Sequence, residues 1–298
     1  MINRLPLRIW YGVTTPAIFL LIEVVNTQSC VGPKAFVKTS AFIFIRRYDM
    51  KFFKPLLLII CVLFANAVAW ATDNEGILPK LNIKASGNFD VYSKYIWRGF
   101  TLDKDPVLQP GFSLSGNGLA FSYWSSWDFD NNDALDGDEI DYVIDYTKDF
   151  KDISLSAGHT YYEFPGTDTF SKEFYVGASF NNISLAPSIT YYYDYGDEQQ
   201  GGADGQYLAL TGLYRIGLVK DLGIALDMSG KLAYNKELFI VGEGGDALMS
   251  AALITPLYKN LTLATSVNYA STFGDMKDSG DGNQRDKFYY GFSLSYEF

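Results

Sequence analysis

The sequence predicts an all-β protein: a transmembrane, antiparallel, up-and-down β-barrel of about twelve strands. Three observations carry that prediction. The last stretch, Lys287 to Phe298, alternates apolar and polar residues without a break. Alternating runs of the same kind recur from Ile83 onward, twelve in all. The links between them alternate in length, which is the pattern of short turns at one end of a membrane barrel and long loops at the other.

In the terminal stretch, Phe288, Tyr290, Phe292, Leu294, Tyr296 and Phe298 occupy every second position. Between them stand Tyr289, Gly291, Ser293, Ser295 and Glu297. Successive strand side chains point to opposite faces, so one face is aromatic and apolar and the other, Tyr289 apart, is small and polar. A membrane strand needs that division, with the apolar face toward lipid. A terminal Phe is also the feature that the outer-membrane assembly machinery is expected to read, which gives Phe298 an assembly role.

The runs before it follow in order. Ile83 to Trp97 alternates Ile83, Ala85, Gly87, Phe89 and Val91 against Lys84, Ser86, Asn88, Asp90 and Tyr92. Leu108–Ser115 and Leu119–Trp127 flank Gly116-Asn117-Gly118, a tight-turn signal. Ile140–Tyr146, Ile153–Tyr162, Phe174–Phe180 and Ile183–Asp194 come next, then Tyr207–Tyr214, Leu222–Tyr234, Asp246–Ile254 and Leu261–Tyr269. Short links follow the even runs, for example Asn181–Asn182, and longer links rich in Gly and Asp follow the odd ones. An even strand number with this alternation puts both termini on the periplasmic side. Trp97, Tyr123, Trp127, Tyr161, Tyr193, Tyr269 and Tyr290 gather near the long-loop ends of their runs and Tyr146, Phe180 and Phe298 near the short-turn ends, as interfacial girdles require.

Ahead of the runs, Met50 opens a basic n-region with Lys51 and Lys54, an apolar stretch from Leu56 to Phe64, and the small-x-small site Ala69-Trp70-Ala71. The apolar stretch is short beside the roughly 20 residues of a membrane helix. The expected organisation is a signal peptide over 50–71 and a barrel domain over 72–298. Residues 1–49 are then an extension from a mis-assigned upstream start. The rival is a genuine N-terminal extension with a weak apolar segment, Ile9 to Val25.

The whole chain carries a formal charge of −10. Residues 1–71 hold eight of its basic and two of its acidic side chains, so 72–298 keeps 16 basic and 32 acidic, a net −16. That argues against a nucleic-acid partner. Both cysteines, Cys30 and Cys61, precede Thr72, so the barrel domain has no thiol chemistry and no disulfide framework.

Tyr92 to Phe112 reads Y-S-K-Y-I-W-R-G-F-T-L-D-K-D-P-V-L-Q-P-G-F. This segment resembles the TorF family of porins, whose members carry S-x-Y-x-x-R-G followed by a Pro, a Gln and a Gly. Ser93, Tyr95, Arg98, Gly99, Pro106, Gln109 and Gly111 stand at those positions, with Lys94 and Trp97 as departures. The resemblance is sharp over about twenty residues and diffuse elsewhere. It implies a bacterial outer-membrane barrel with a pore function and carries no known substrate.

Catalytic chemistry has little to stand on. The one histidine, His159, shares a face with Ile153, Leu155, Ala157 and Tyr161, the predicted lipid side, and no nucleophile is signalled near it. One His and no mature Cys leave no zinc spacing. Asp128 to Glu139 offers many hard oxygens but lacks the glycine of a calcium loop at the sixth position. It reads as a solvated acidic loop, with bridging of divalent cations to lipopolysaccharide as the alternative. No catalytic, cofactor or metal site is expected.

The face opposite the apolar one gives the candidate lumen residues: Lys84, Asp90, Lys94 and Arg98 on the first run, Asp141 and Asp145 on the fourth, Glu173 on the sixth, Asp194 on the seventh, and Asp227 and Lys231 on the ninth. Charge is costly on a lipid face and cheaper in a lumen. Together these features imply a narrow, cation-preferring passage for small hydrophilic solutes in the bacterial outer membrane. Its expected partners are membrane lipid, lipopolysaccharide, the barrel-assembly machinery and small ions. The alternative is a closed structural or surface-interaction barrel without transport.

Overall fold

The computed structural model describes residues 8–14, 17–23, 42–46, 82–128, 138–279 and 286–298. The chain divides into two compact units, Met1–Asn66 and Ala67–Phe298. In the first, Arg8–Thr14, Ala17–Glu23 and Phe42–Arg46 form a three-stranded antiparallel sheet. The segment expected to be a signal peptide and the expected mature start, Thr72, lie outside the described residues.

The second unit is a closed antiparallel barrel of twelve strands. They are β1 (Lys84–Tyr92), β2 (Val107–Gly116), β3 (Leu119–Asp128), β4 (Asp138–Asp149), β5 (Ile153–Phe164) and β6 (Thr169–Phe180), then β7 (Ser188–Asp194), β8 (Gln206–Val219), β9 (Ile224–Lys236), β10 (Glu243–Tyr258), β11 (Leu261–Gly274) and β12 (Lys287–Glu297). Each strand pairs with its sequence neighbours, and β12 returns to β1 with Phe292 opposite Val91 and Leu294 opposite Phe89. The Phe298 N–H donates to the Ala85 carbonyl at 2.9 Å, so the last residue extends that seam.

Register divides the strands into two faces. Phe121, Ile144, Leu155, Val176, Leu210, Leu232, Met249, Val267 and Phe292 stand on one, all exposed. In a closed barrel the exposed apolar face is the outer one. The opposite face points inward and carries Ser, Thr, Asn and most of the charge. Aromatic rings of adjacent strands meet on the outer face near the long-loop end: Tyr123 on Tyr142 at 5.8 Å, Tyr142 on Tyr161 at 6.4 Å and Phe174 on Tyr193 at 5.5 Å.

The turns have local causes. Asn117-Gly118, both at positive φ, join β2 to β3, as a two-residue hairpin turn requires. Pro110 has no N–H to give, and pairing of β2 with β3 skips from Leu108–Trp127 to Gly111–Trp124 around it. Pro256 marks a second irregularity, where β10 shifts register against β11. Among the links that differ from the sequence expectation are those after β6 and after β1. Asn181–Asn182 was expected to be the whole turn after β6, but Pro187 delays the next strand to Ser188, and the carbonyl of Pro187 accepts from Phe180 N at 2.9 Å. The first run was expected to continue to Trp97, yet β1 ends at Tyr92.

Candidate functional site: an inturned hairpin on the inner wall

Between Tyr92 and Val107 the chain leaves the barrel wall and folds a small ribbon, Tyr95–Trp97 against Phe100–Asp103. Arg98 and Gly99 form its tip, with φ of +46° and +84°. This is the geometry of a two-residue turn with both central residues left-handed, which glycine takes freely and arginine does not. The tip presses on the inner wall. A Cβ placed on Gly99 would lie 2.8 Å from Asp246 Cβ on β10 and 2.8 Å from Thr272 Cγ2 on β11. Lys287 Nζ on β12 donates to the Gly99 carbonyl.

Arg98 reaches along the wall to β6. Its Nη1 and Nη2 donate to Glu173 Oε2 and Oε1 at 2.6 and 2.7 Å, a two-pronged ion pair. Side-chain exposure is 9% for Arg98 and 1% for Glu173, so the pair is shielded from water. The Tyr162 hydroxyl on β5 donates to Glu173 Oε1 at 3.0 Å. Three rings surround the guanidinium: Tyr192 at 4.3 Å, Tyr207 at 4.6 Å and Trp97 at 4.6 Å. Burial opposes the Arg98 charge, but the Glu173 carboxylate outweighs it and holds the arginine above its ordinary basicity.

The other ribbon residues engage the remaining wall. Tyr95 is buried, packs on Trp124 of β3 at 5.6 Å and hydrogen-bonds Glu139 of β4. Burial, with the Glu139 and Asp141 carboxylates beside it, pushes the Tyr95 phenol well above the usual range. Trp97 stacks on Phe100 and meets Tyr162 and Phe239 edge-on at 6.2 and 5.8 Å. Beside the tip, Lys231 Nζ pairs with Asp246 Oδ1 at 2.7 Å and donates to the Tyr207 hydroxyl, which in turn donates to Asp246 Oδ2 at 2.6 Å. Leu238 and Met276, from the links after β9 and β11, are fully buried at the same end. The long-loop end of the interior is therefore packed.

The candidates named from the sequence occupy several kinds of place. Arg98 and Glu173 meet, and Lys231 belongs to the adjoining network. Asp141 stands on the inner face of β4, two residues along from Glu139 and close enough to Tyr95 to influence its phenol. Asp90, on β1, accepts from Asn88 at 2.8 Å. Lys84 and Asp145 line a cavity at the short-turn end, with Ser115, Ala120 and Thr147. Asp227 forms a two-pronged pair with Arg215 at 2.6 Å in both contacts.

Asp194 is buried and tied to its own loop, accepting from Ser171, Gly196 N and Ala203 N. Lys94 lies in the link outside the barrel wall, with Nζ on the Lys104 carbonyl at 3.1 Å, which corrects its placement on a continuous first strand. Trp97, in the same link, packs on Tyr162 and Phe239 and is not on an outer girdle. His159 is on the outer face, sharing a hydrogen bond with the Tyr195 hydroxyl at 2.6 Å.

Asp246, Lys287, Glu139 and the tyrosines 95, 162, 192 and 207 were missed. Asp246 and Lys287 begin their runs on the polar parity, and that signal was available. The tyrosines carry none, since tyrosine suits either face. The acidic stretch 129–137 lies outside the described residues.

The segment that carries the family resemblance coincides with this site. Ser93 accepts from Tyr290 N through its hydroxyl, Tyr95 and Arg98 reach the acidic wall, and Gly99 is the tip. Gln109 donates to Ser126 at 3.1 Å, and a Cβ on Gly111 would meet Asn88 Oδ1 at 2.4 Å.

No protein-family model matches the chain, and no curated protein matches it. Among solved structures it is similar to the KdgM porin, at 14% identity and a TM-score of 0.45, over 72% of this chain and 99% of that one. It is similar to the NanC porin at 11% identity and a TM-score of 0.43, over 72% and 98%. Likeness to OmpT, an outer membrane protein of Vibrio cholerae, is 12% in identity with a TM-score of 0.37, over 72% and 97%.

Proposed function

We propose that the protein is a bacterial outer-membrane channel for passive diffusion of small hydrophilic solutes, narrowed at its long-loop end by the Arg98 hairpin. The observation that carries this reading is a closed ring of twelve strands, apolar outside and charged inside. Closure satisfies every strand edge, which hydrocarbon requires. Strands of 12 residues, rising about 3.4 Å per residue and tilted about 40°, span roughly 30 Å, the thickness of a bilayer core.

The finer features of the proposal follow from the same reading. Both termini are periplasmic, and the long loops face lipopolysaccharide. Phe298 is the element that the assembly machinery reads, and the resemblance to the TorF family over Tyr92–Phe112 agrees with the assignment. Lys84, Asp90, Asp141, Asp145, Glu173, Asp194, Asp227 and Lys231 line or brace the lumen, and its acidic excess gives a preference for cations.

A second reading, a closed barrel that does not conduct, is favoured by one observation: the packed interior at the long-loop end. Planar-bilayer recording on the folded barrel separates the two. Discrete steps of current are expected, and a folded but silent protein would favour the second reading.

A further inference from the structure

The pocket that holds the Arg98 guanidinium belongs to the barrel wall and not to the hairpin. Glu173, Tyr162, Tyr192 and Tyr207 come from β6, β5, β7 and β8, which pair with one another in register. Only Trp97 among its walls moves with the ribbon. The ribbon itself is an appendage, because Tyr92 already pairs with Val107 at its root and the barrel closes without it. Its tip holds a non-glycine residue at φ +46°, a conformation that release would relax.

The chemistry of the pocket is specific. Two carboxylate oxygens meet two nitrogens of one planar fork, at 2.6 and 2.7 Å. Aromatic faces lie over the plane at 4.3 to 4.6 Å. A guanidinium fits such a fork and such faces, whereas an ammonium offers neither the plane nor the paired donors.

We propose that this pocket is a recognition site for guanidinium-bearing solutes, and that Arg98 occupies it as the chain's own stand-in until a solute displaces the hairpin. The inference rests on the channel reading for its biological sense, but its test does not need conduction. A tethered arginine competes at a high effective concentration, of millimolar order, so the wild-type site is masked and Arg98→Ala exposes it.

Agmatine is the probe and butylamine the control without a guanidinium. Calorimetric titration of the folded barrel in detergent should show agmatine binding Arg98→Ala at least tenfold tighter than wild type. Adding Glu173→Gln should abolish that gain, and butylamine should show none. Equal binding to wild type and Arg98→Ala, or a gain that survives Glu173→Gln, would overturn the proposal. Silence in bilayers with agmatine binding intact would overturn only the channel reading. If Arg98→Ala does not fold, the wild type decides through chymotrypsin cleavage after Tyr95, Trp97 and Phe100, within the ribbon. Agmatine should speed that cleavage relative to butylamine, and equal rates would sink the idea.

Discussion

Glu173 has 1% of its side chain exposed, and Arg98 supplies two hydrogen-bond donors to it and Tyr162 a third. A buried pair of this kind gives little net stability but costs a great deal when broken, about 3–5 kcal/mol for a stranded charge. Each single change strands the other partner's charge, Arg98→Ala the Glu173 carboxylate and Glu173→Gln the Arg98 guanidinium, so both should loosen the ribbon. Trypsin sensitivity at Lys94 and Lys104 should rise in both variants. Gly99→Ala attacks the same contact from the other side. Its methyl would sit 2.8 Å from Asp246 Cβ at φ +84°, a left-handed position that costs a non-glycine residue about 1–2 kcal/mol before any clash. The expected outcome is a released tip with an intact barrel, seen as faster cleavage and an unchanged heat-induced gel shift. Parity along the first run puts Arg98 on the inward face. It reaches the interior by another route, a turn after Ser93. Its partner lies 75 residues away, and no local pattern announces a contact of that range.

Strands and their turns were largely legible because their causes are local. Apolar alternation fixes which face a residue takes, and Asn117-Gly118 fixes where a strand stops. The twelve runs correspond to the twelve strands, with ends moved where proline or loop packing intervenes, as at Pro187. The ribbon was not legible, since Tyr95–Trp97 reads as the end of the first run and Phe100–Asp103 as part of a long link, and only the tertiary wall pulls them together and inward. Replacing Ser93–Pro106 by a two-residue Asn-Gly turn tests what that element does. Because Tyr92 and Val107 are already paired, β1 and β2 should still close, and conductance should rise several-fold over wild type. Unchanged current would show that the narrow point lies elsewhere. At the opposite end, deleting Phe298 removes the seam bond to Ala85 and the ring that meets Tyr296 at 4.8 Å. One such hydrogen bond is worth about 1 kcal/mol, too little to unfold the barrel. Membrane yield should fall while the conductance of inserted protein stays the same. Normal yield would remove Phe298 from the assembly step.

At the scale of the whole molecule, the barrel is an acidic shell with a few internal cations. Most of those cations are spent on near partners: Arg98 on Glu173, Lys231 on Asp246 and Arg215 on Asp227. Their fields cancel over short distances, so on the proposed channel reading the acids beyond these pairs would set the sign of the passage. Asp90, Glu139, Asp141 and Asp145 lie on one arc of the inner wall, on β1 and β4. A narrow, low-dielectric passage focuses such a field, whereas exposed loop charge is screened beyond about 8 Å at physiological ionic strength. A reversal potential across a dilute salt gradient should therefore show a preference for cations that fades as salt rises. Neutralising Asp141 and Asp145 together should reduce that preference more than neutralising Asp197 and Glu198, which stand exposed in the link after β7. Glu173→Gln should act in the same direction for a different reason, because it frees the Arg98 charge as well as removing its own. Selectivity for anions in the unmodified protein would mean that Lys84, Lys287 and Arg98 govern the passage in spite of the acidic majority.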